Sequence, residues 1–350
     1  MKLDDLVTRT GEWLKGEGSH ADIVISSRVR LARNIKGYPF FHWANKKEKE
    51  AVFETVKGAI ESSKYLKGAL FIKMADVDDI DKQFLVERHL MSIEHGSNDT
   101  ARGLVVDDRE IISIMINEED HIRAQAIQSC FNLMETWRVL NALDVEFENK
   151  LEYAYSNKWG YLTACPTNIG TGLRASVMLH LPALVITGQI GRVLQAITKL
   201  GVAARGLYGE GTEAHGNFFQ ISNQVTLGHS EEDIVDNIEK LIKQVIGREK
   251  SAREYLLLHN REALNDRIWR AYGTLKSARI ITSDETTRLL SLIRLGVDLQ
   301  IVTDIDRKTL NELFILTQPA HLQKLEKKKL SSAERDMKRA DLIRAKLGTP

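Results

Sequence analysis

The sequence lacks the features of several protein classes. It has two cysteines in 350 residues, too few for a disulfide framework, so we expect a reducing compartment. No apolar run approaches the ~20 residues that span a bilayer. The N-terminal segment MKLDDLVTRTGEWLKGEG has early acids and no apolar core, which excludes a signal peptide. A net charge of +1 argues against broad nucleic-acid binding. These absences predict a cytoplasmic protein.

The length of the chain predicts one large domain and a smaller one. Hydrophobic residues make up 43% of the chain, which is enough for a sizeable core. After an N-terminal segment (1–20), strand and helix patterns are mixed over residues 21–250, whereas residues 251–350 show only helical patterns. Hairpin connections in the mixed part favour an antiparallel sheet. We therefore predict an α+β fold, with an antiparallel β-sheet flanked by helices and an all-helical C-terminal domain.

The segment NEEDH (117–121) is the most unusual cluster of charge. It follows a strand-like run, and the pattern after it predicts a helix from Asp120 to about Leu143. Asn117 would cap this helix, and acids in its first turn would complement the helix dipole. Capping explains one or two of the three acids but explains the third poorly. The alternative is a receptor for a guanidinium or ammonium group, in which one carboxylate acts as a base.

The glycine motifs that bind nucleotide phosphates are missing. There is neither a G-x-x-x-x-G-K-[ST] segment nor a clear G-x-G-x-x-G segment, so side chains would have to bind any phosphate. Arg28 and Arg30 lie two residues apart after a strand and should point the same way. Their planar guanidinium groups suit bidentate phosphate contacts. For this pair alone, surface arginines at a strand end are the preferred interpretation.

Three further arginines lie beside turns. Arg123 follows Glu119 by four residues, so a helical ion pair would explain it. Arg174 lies between a glycine turn and a strand, and Arg205 precedes the glycine-rich segment GLYGEGTEAHG (206–216), which predicts a loop. Each arginine alone proves little. Five arginines at the ends of elements together indicate a polyphosphate pocket.

The segment CPTNIGTGLRA (165–175) places Cys165 before a proline and a glycine-rich turn. The thiol is either structural, or an electronegative sulfur that faces a substrate cation, or a thiolate with a lowered pKa beside arginines. Spacing alone leaves the structural and functional interpretations open. Cys130 lies in an apolar pattern that we interpret as helical, and we predict a small buried hydrophobe there.

Four segments together resemble the phosphagen kinases, the guanidino kinases that include creatine and arginine kinases. They are DIVISSRVRLARNI, NEEDHIR, CPTNIGTGLRA and RGLYGEGTEA…ISN, in this order between about residues 20 and 250. The order makes the resemblance specific. The chain is most similar to the bacterial protein arginine kinase branch. Only 25 residues precede Ser26, where the metabolic enzymes carry a helical domain, and the extra helical domain here is C-terminal. A guanidino site left open in this way suits a protein-borne arginine.

The resemblance implies a glutamine-synthetase-like catalytic fold and transfer of the γ-phosphoryl group of Mg-ATP to arginine residues in proteins. Glu119 would hold the guanidinium and take its proton, and Cys165 would lie beside it. The second substrate carboxylate would be Glu210, with Glu213 in reserve. The implied nucleotide-binding residues are Ser26, Ser27, Arg28, Val29, Arg30, His89, Arg123, Arg174, Ala175, Ser176, Val177, Met178, Arg205, Gly206, Leu207, Tyr208, Gly209 and Glu210.

The C-terminal segment RDMKRA (335–340) resembles a phosphoarginine-binding regulatory motif of the same branch. Arg335 and Arg339 form an i,i+4 basic pair suited to an anion, Asp336 would hold the remaining guanidinium face, and Ala340 completes the motif. The alternative is a solvated helix face. With the resemblance, this motif predicts a regulatory role for the helical domain.

The resemblance also implies cofactors and partners. We expect ATP and Mg²⁺ as cofactors, and protein substrates that include a stress-response repressor and misfolded proteins. A Clp-type AAA+ protease would act downstream, a small zinc-binding protein is a candidate activator, and the kinase would form a homodimer or larger homo-oligomer. We expect neither direct nucleic-acid binding nor a membrane.

Two other functions are alternatives. The first is a kinase of free arginine or another small guanidine, against which the absent N-terminal helical domain counts. The second is an inactive adaptor that binds phosphoarginine, against which the intact NEEDH segment and Cys165 count.

Overall fold

An antiparallel sheet of eight strands forms the centre of the computed structural model, which describes residues 2–96, 101–206 and 215–348. Its strands are Val24–Arg33 (β1), Leu70–Lys73 (β2), Gly103–Val106 (β3), Ile112–Ile116 (β4), Ile122–Ser129 (β5), Leu173–His180 (β8), Val202–Gly206 (β9) and Phe218–Asn223 (β10). They lie in the order β2-β3-β4-β5-β1-β8-β10-β9. Tyr155–Ser156 (β6) and Gly160–Tyr161 (β7) form a separate small hairpin.

Helices lie between the strands and make up the C-terminal part. Those of the mixed part are Lys46–Glu61 (α1), Asp79–Glu87 (α2), Leu133–Glu148 (α3), Pro182–Ile186 (α4), Ile190–Thr198 (α5) and Glu231–His259 (α6). The C-terminal helices are Arg261–Ser277 (α7), Ser283–Asp298 (α8), Arg307–Leu316 (α9), Pro319–Glu326 (α10) and Ser332–Lys346 (α11). The α+β fold with a helical C-terminal part is thus confirmed. None of the described helices is long and apolar enough to cross a membrane.

The central strand β1 shows why the sheet has two different faces. Successive side chains of a strand point to opposite faces. Val29 and Leu31 are 0% and 1% exposed and belong to the main hydrophobic core, where α3 and α6 pack against the sheet. Arg28 and Arg30 lie on the other face and are partly buried. This arrangement leaves a polar face free for a site.

The helix predicted from Asp120 is wrong at its beginning. Residues 122–129 form β5, which pairs with both β4 and β1, and the helix begins only at Leu133. Asn117 adopts a φ of 58°, and its amide donates to the carbonyl of His121 at 2.9 Å. NEEDH is therefore the turn of a β-hairpin, and the capping explanation of its acids is excluded. Cys130 is buried as predicted, but it follows a strand and does not lie in a helix.

The N-terminal segment joins the sheet to the C-terminal helices. Trp13 and Leu14 pack in one cluster with Met178 of the sheet and Ile315 of α9. The carbonyl of Leu14 accepts a hydrogen bond from Asn311 Nδ2 at 3.2 Å. This packing covers one end of the polar face of the sheet.

Candidate active site

Arginines from four strands of the sheet, β5, β1, β8 and β9, lie on the polar face. Arg30 of β1 lies directly opposite Arg174 of β8, and Arg28 precedes it by two residues on the same face. Arg123 of β5 is paired with Ala32, which continues the same row on β1. Arg205 of β9 joins this face through its pairing with Gln220 of β10, which in turn is opposite Met178. The register thus brings together all five arginines predicted for phosphate binding.

Arg28 and Arg30 of β1 lie in an electrostatically unfavourable environment. The Nε atoms of Arg28 and Arg30 are buried and have no hydrogen-bond partner in the described part of the chain. Burial, with Arg123 and Arg174 nearby, lowers the pKa of Arg28 to about 10. Burial and the neighbouring arginines also lower the pKa of Arg30 well below its ordinary value. A bound polyanion would relieve both the desolvation and the repulsion.

Arg33, at the end of the same strand, has a structural role and serves as a comparison. Its guanidinium lies 2.6 Å from Asp144 Oδ2 and 3.1 Å from Glu231 Oε1. It also stacks 3.6 Å from the ring centroid of Tyr161. These carboxylates raise its pKa despite complete burial. In contrast, neither Arg28 nor Arg30 forms an ion pair with another described residue, which leaves both free to bind an anion.

The three acids of the NEEDH turn have different environments. Glu118 is buried, and its two carboxylate oxygens accept from Arg123 at 2.7 Å and from Ser92 Oγ at 2.6 Å. Burial alone would raise the pKa of Glu118, but these contacts lower it. Glu119 is only partly buried, and burial with the neighbouring Asp120 raises its pKa. No hydrogen bond to the Glu119 carboxylate occurs among the described residues, so it is the acid of this turn that can meet a ligand.

Asn34, just after β1, fixes the position of this turn. Its side-chain Nδ2 donates to Asp120 Oδ1 at 2.6 Å and to the carbonyl of Leu162 at 3.0 Å. Its Oδ1 accepts the amide of His121 at 3.0 Å. Asn34 is 1% exposed, so these bonds are protected from water. One amide side chain therefore connects the end of β1, the NEEDH turn and the segment that leads to Cys165.

The Cys165 segment is attached to the same turn. The amide of Ala164, the residue before Cys165, donates to Asp120 Oδ1 at 2.7 Å. Asp120 in turn follows Glu119 in the sequence. The Cys165 sulfur is partly exposed and lies 2.9 Å from Thr167 Oγ1. The structure thus brings the Glu119 turn and the Cys165 segment together, as the predicted site requires. The role of the thiol stays a prediction.

His89 lies at the covered end of the arginine face. It has a φ of 60°, and its ring is edge-on to Trp13 with the centroids 5.2 Å apart. Its carbonyl accepts from Gln125 Nε2 at 2.7 Å, and Gln125 Oε1 accepts from Arg28. Burial, with a smaller effect of Arg28, lowers the pKa of His89 to about 3. His89 is therefore neutral, and its predicted contact with a nucleotide stays a prediction.

The other predicted nucleotide-binding residues of β1 and β8 divide between the two faces. Ser26, Ser176 and Met178 belong to the polar face with Arg28. The other predicted residues of these two strands are 0% exposed and lie on the core face: Ser27, Val29, Ala175 and Val177. Their side chains support the arginine face from below. Gly206 ends β9. Leu207, Tyr208, Gly209, Glu210 and Glu213 lie outside the described residues.

The C-terminal motif lies on α11. The Arg339 guanidinium is buried and donates to the carbonyls of Thr317 at 2.8 Å and Ile281 at 2.9 Å. It also pairs with Asp336, while Ala340 is 1% exposed. Arg335 is partly exposed. Arg339 thus holds α11 against neighbouring elements, and Arg335 is the more accessible cation of the pair. Phosphoarginine binding by this motif stays a prediction.

Sequence reasoning missed the residues that hold the site together. Asn34 and Glu118 were not predicted to have separate roles, and Asp120 and His121 were considered only within the acidic cluster. Their partners lie up to 128 residues away in sequence. A strand prediction for 122–129, whose pattern IRAQAIQS alternates in part, would have identified the hairpin. It would not have identified the Asn34 contacts.

Two family models match the chain. Residues 51–252 match ATP:guanido phosphotransferase, C-terminal catalytic domain. Residues 261–350 match Protein-arginine kinase McsB C-terminal domain. Arg28 and Arg30 precede the first of these regions, whereas Glu119, Cys165 and Arg174 lie within it.

Relatives and solved structures agree with these matches. The chain is 47% identical over 348 residues to a protein-arginine kinase of Halothermothrix orenii, covering 99% of both chains. It is 49% identical over 351 residues to a protein-arginine kinase of Shouchella clausii, covering 99% of this chain and 98% of the relative. A crystal structure of lombricine kinase has a TM-score of 0.58 at 27% identity and covers 68% of each chain. The duplicated taurocyamine kinase of Schistosoma mansoni, with transition state analog components, has a TM-score of 0.63 at 22% identity and covers 81% of this chain and 44% of its own.

Proposed function

The chain belongs to the ATP:guanido phosphotransferase family, and on that premise we propose that it is an ATP-dependent protein-arginine kinase. It transfers the γ-phosphoryl group of ATP to the guanidinium of arginine residues in proteins. Relatives named protein-arginine kinase match it over nearly its full length. The main observation in support is that the polar face has two parts, one with arginines and one with acids. Arg28 and Arg30, which form no ion pair within the described residues, lie beside a turn whose Glu119 carboxylate accepts no hydrogen bond from those residues.

The arginine cluster is the donor side of the site. Arg28, Arg30 and Arg174 would bind the phosphates of ATP, because their guanidinium groups are buried close together. Charge on the transferred phosphoryl group in the transition state would be stabilised by the same groups, which are already oriented by the sheet. Gln125 and Ser222 help to orient Arg28 and Arg174 by accepting hydrogen bonds from them.

The NEEDH turn is the acceptor side. An arginine side chain is protonated at any cellular pH and is a poor nucleophile until one nitrogen loses its proton. Glu118 is committed to Arg123 and Asp120 to Asn34, so Glu119 is the residue that would accept this proton. Asp120 and Asn34 position it. Cys165 would contact the guanidinium from the neighbouring segment, and Glu210 would supply the second carboxylate, with Glu213 in reserve.

Magnesium would enter as part of the Mg-ATP substrate. The described residues contain no group of three or more His, Cys, Asp or Glu side chains suited to a metal ion. Mg²⁺ commonly keeps several waters and binds through substrate phosphates, so phosphate oxygens and water would supply its ligands here. The protein's own contribution would be the orientation of the phosphates by the arginines.

The wider role rests on the same family membership. We propose a catalytic region over 21–250 and a regulatory and dimerisation region over 251–350, and the positions of the two family models support this division. A stress-response repressor and misfolded proteins would be the substrates in the cytoplasm, with degradation by a Clp-type protease downstream. A small zinc-binding activator, and a phosphoarginine site at Arg335 and Asp336, would regulate the kinase.

A labelling experiment tests the function. The purified protein is incubated with Mg-ATP and either an arginine-rich unfolded protein or free arginine. We expect acid-labile phosphate on arginine residues of the protein, located by mass spectrometry at neutral pH. Labelling of free arginine alone would instead support a small-guanidine kinase. Labelling of neither acceptor would support the inactive adaptor.

A further inference from the structure

A loop rich in aromatic residues borders the acceptor side of the site. It follows β1 and has the sequence KGYPFFHWA (36–44). The side chain of Trp43 is 80% exposed, and its ring lies 5.9 Å from that of Phe40. His42 is also exposed. We call Phe40, His42 and Trp43 the aromatic lip. Large aromatic side chains left in water commonly mark a binding surface.

The aromatic lip is fixed in place by the NEEDH turn itself. His121 Nε2 donates to the carbonyl of Pro39 at 2.9 Å, while its Nδ1 accepts the amide of Ile35 at 3.0 Å. Asn117 Nδ2 donates to the carbonyl of Lys49 at 2.9 Å. These two turn residues lie on either side of Glu119 in the sequence. The residues before and after the lip are therefore tied to the segment that carries the acceptor carboxylate.

The loop is also anchored from below. Phe41 is 5% exposed, and its ring lies 4.0 Å from Lys49 Nζ and 4.9 Å from Arg102 Cζ. A tight turn, in which the amide of Trp43 donates to the carbonyl of Phe40 at 2.8 Å, presents the neighbouring side chains outward. Burial of Phe41 thus holds His42 and Trp43 on the surface and leaves Phe40 partly exposed.

The lip lies next to the turn that carries the acceptor carboxylate. Pro39 directly precedes Phe40 of the lip, and its carbonyl accepts from His121, which is two residues from Glu119. An arginine bound at Glu119 would therefore lie beside the lip. Successive residues of an extended chain are about 3.3 Å apart along the chain, so the residues that flank this arginine would lie next to it on the side of the lip.

We propose that the aromatic lip binds apolar side chains that flank the target arginine in an extended segment of the protein substrate. This inference rests on the proposed function. The acids of the NEEDH turn complement the guanidinium, and the lip offers apolar area to the residues beside it. Apolar residues are mostly buried in folded proteins but exposed in unfolded chains. The lip thus favours unfolded substrates.

Paired peptides test this inference. Two peptides of equal length and charge carry one arginine each, flanked by leucines in one and by serines in the other. For the full-length parent kinase we expect kcat/KM to be about 10-fold higher for the leucine peptide, equivalent to about 1.4 kcal/mol. Trp43→Ala should reduce this ratio to near one, mainly by lowering kcat/KM for the leucine peptide. Trp43→Phe should restore part of it.

Two controls complete the experiment. Trp269→Ala removes an indole that is 49% exposed on α7 and should leave the ratio unchanged. Phe40→Ala should lower it in the same direction as Trp43→Ala, and thermal unfolding confirms that each variant is folded. An unchanged ratio in both lip variants, or an equal loss of kcat/KM for both peptides, would overturn the inference. If the parent phosphorylates neither peptide and no protein arginine, it is the proposed function that fails.

Discussion

Arg30→Met should make the ligand-free protein more stable and unable to bind ATP. Arg30 is a partly buried cation beside Arg28, Arg123 and Arg174, and its Nε atom has no hydrogen-bond partner in the described part of the chain. Methionine preserves most of the aliphatic volume and removes the charge. If the arginine face exists to bind a polyanion, its charge should cost stability when that anion is absent.

The pKa of its neighbour gives the size of this cost. Burial first, and then Arg123 and Arg174, lower the pKa of Arg28 to about 10. The difference from an ordinary arginine corresponds to about 3 kcal/mol of unfavourable free energy for the charged form. At neutral pH the group is still protonated, so the full cost applies. Allowing for relaxation around the charge, we expect Arg30→Met to raise the free energy of unfolding by about 1–3 kcal/mol.

Urea unfolding with and without Mg-ATP measures both effects. At an ATP concentration 100 times its Kd, the parent should gain about 2.7 kcal/mol, whereas Arg30→Met should gain nothing. Arg33→Met is the matched control on the same strand. It breaks contacts with Asp144 and Glu231, and should cost about 3–5 kcal/mol. If Arg30→Met destabilises the protein as Arg33→Met does, or still responds to ATP like the parent, the reasoning is refuted.

Further variants test the acceptor side. Glu119→Gln should lower kcat by roughly 10²–10⁴ while the stabilisation by ATP persists; near-parent turnover would exclude Glu119 as the base. Because burial and Asp120 raise the pKa of Glu119, the parent rate should increase as the pH rises through that pKa, and a kcat profile without this acid limb would count against it. Asn34→Leu should lower kcat about 10²-fold through misplacement of the turn, with ATP binding retained; unchanged kcat would make Asn34 merely structural. Glu210→Ala should be less active on a protein substrate than Glu213→Ala, and the reverse order would identify Glu213 as the second carboxylate.

The placement of Arg28 and Arg30 on one face of the sheet could be predicted, because it depends only on local sequence. The alternation in VISSRVRLAR sets Arg28 and Arg30 on one face whatever their neighbours are. The helices α1 and α11 are also indicated by local sequence, since their apolar residues recur with helical spacing. The short helix α10 is indicated less clearly, because its eight residues offer little more than two turns of pattern.

The NEEDH turn could not be predicted from local sequence in the same way. Alanine and glutamine after it favour a helix when considered alone. In the structure, residues 122–129 fill the gap between β4 and β1 and pair with both strands. Such pairing outweighs intrinsic preference, because it satisfies backbone groups on both edges of the strand. The contacts of Asn34 with Asp120 and Leu162 depend on the same long-range pairing, so no local pattern indicates them.

The alternation of side chains along β1 determines both the packing of the core and the assembly of the arginine face. A shift of β1 by one residue relative to β5 and β8 would turn Val29 and Leu31 towards solvent and force Arg28 and Arg30 into the apolar core. Burying two unpaired guanidinium groups there would cost far more than their present partial burial. The register that maximises the core is therefore also the register that assembles the arginine face. Both stability and phosphate binding therefore require this register. Arg28 and Arg30 on the polar face serve phosphate binding but lower the stability of the ligand-free protein. Replacement of Arg28 or Arg30 should consequently stabilise the sheet and abolish the reaction, whereas replacement of Arg33 should destabilise the fold that presents them.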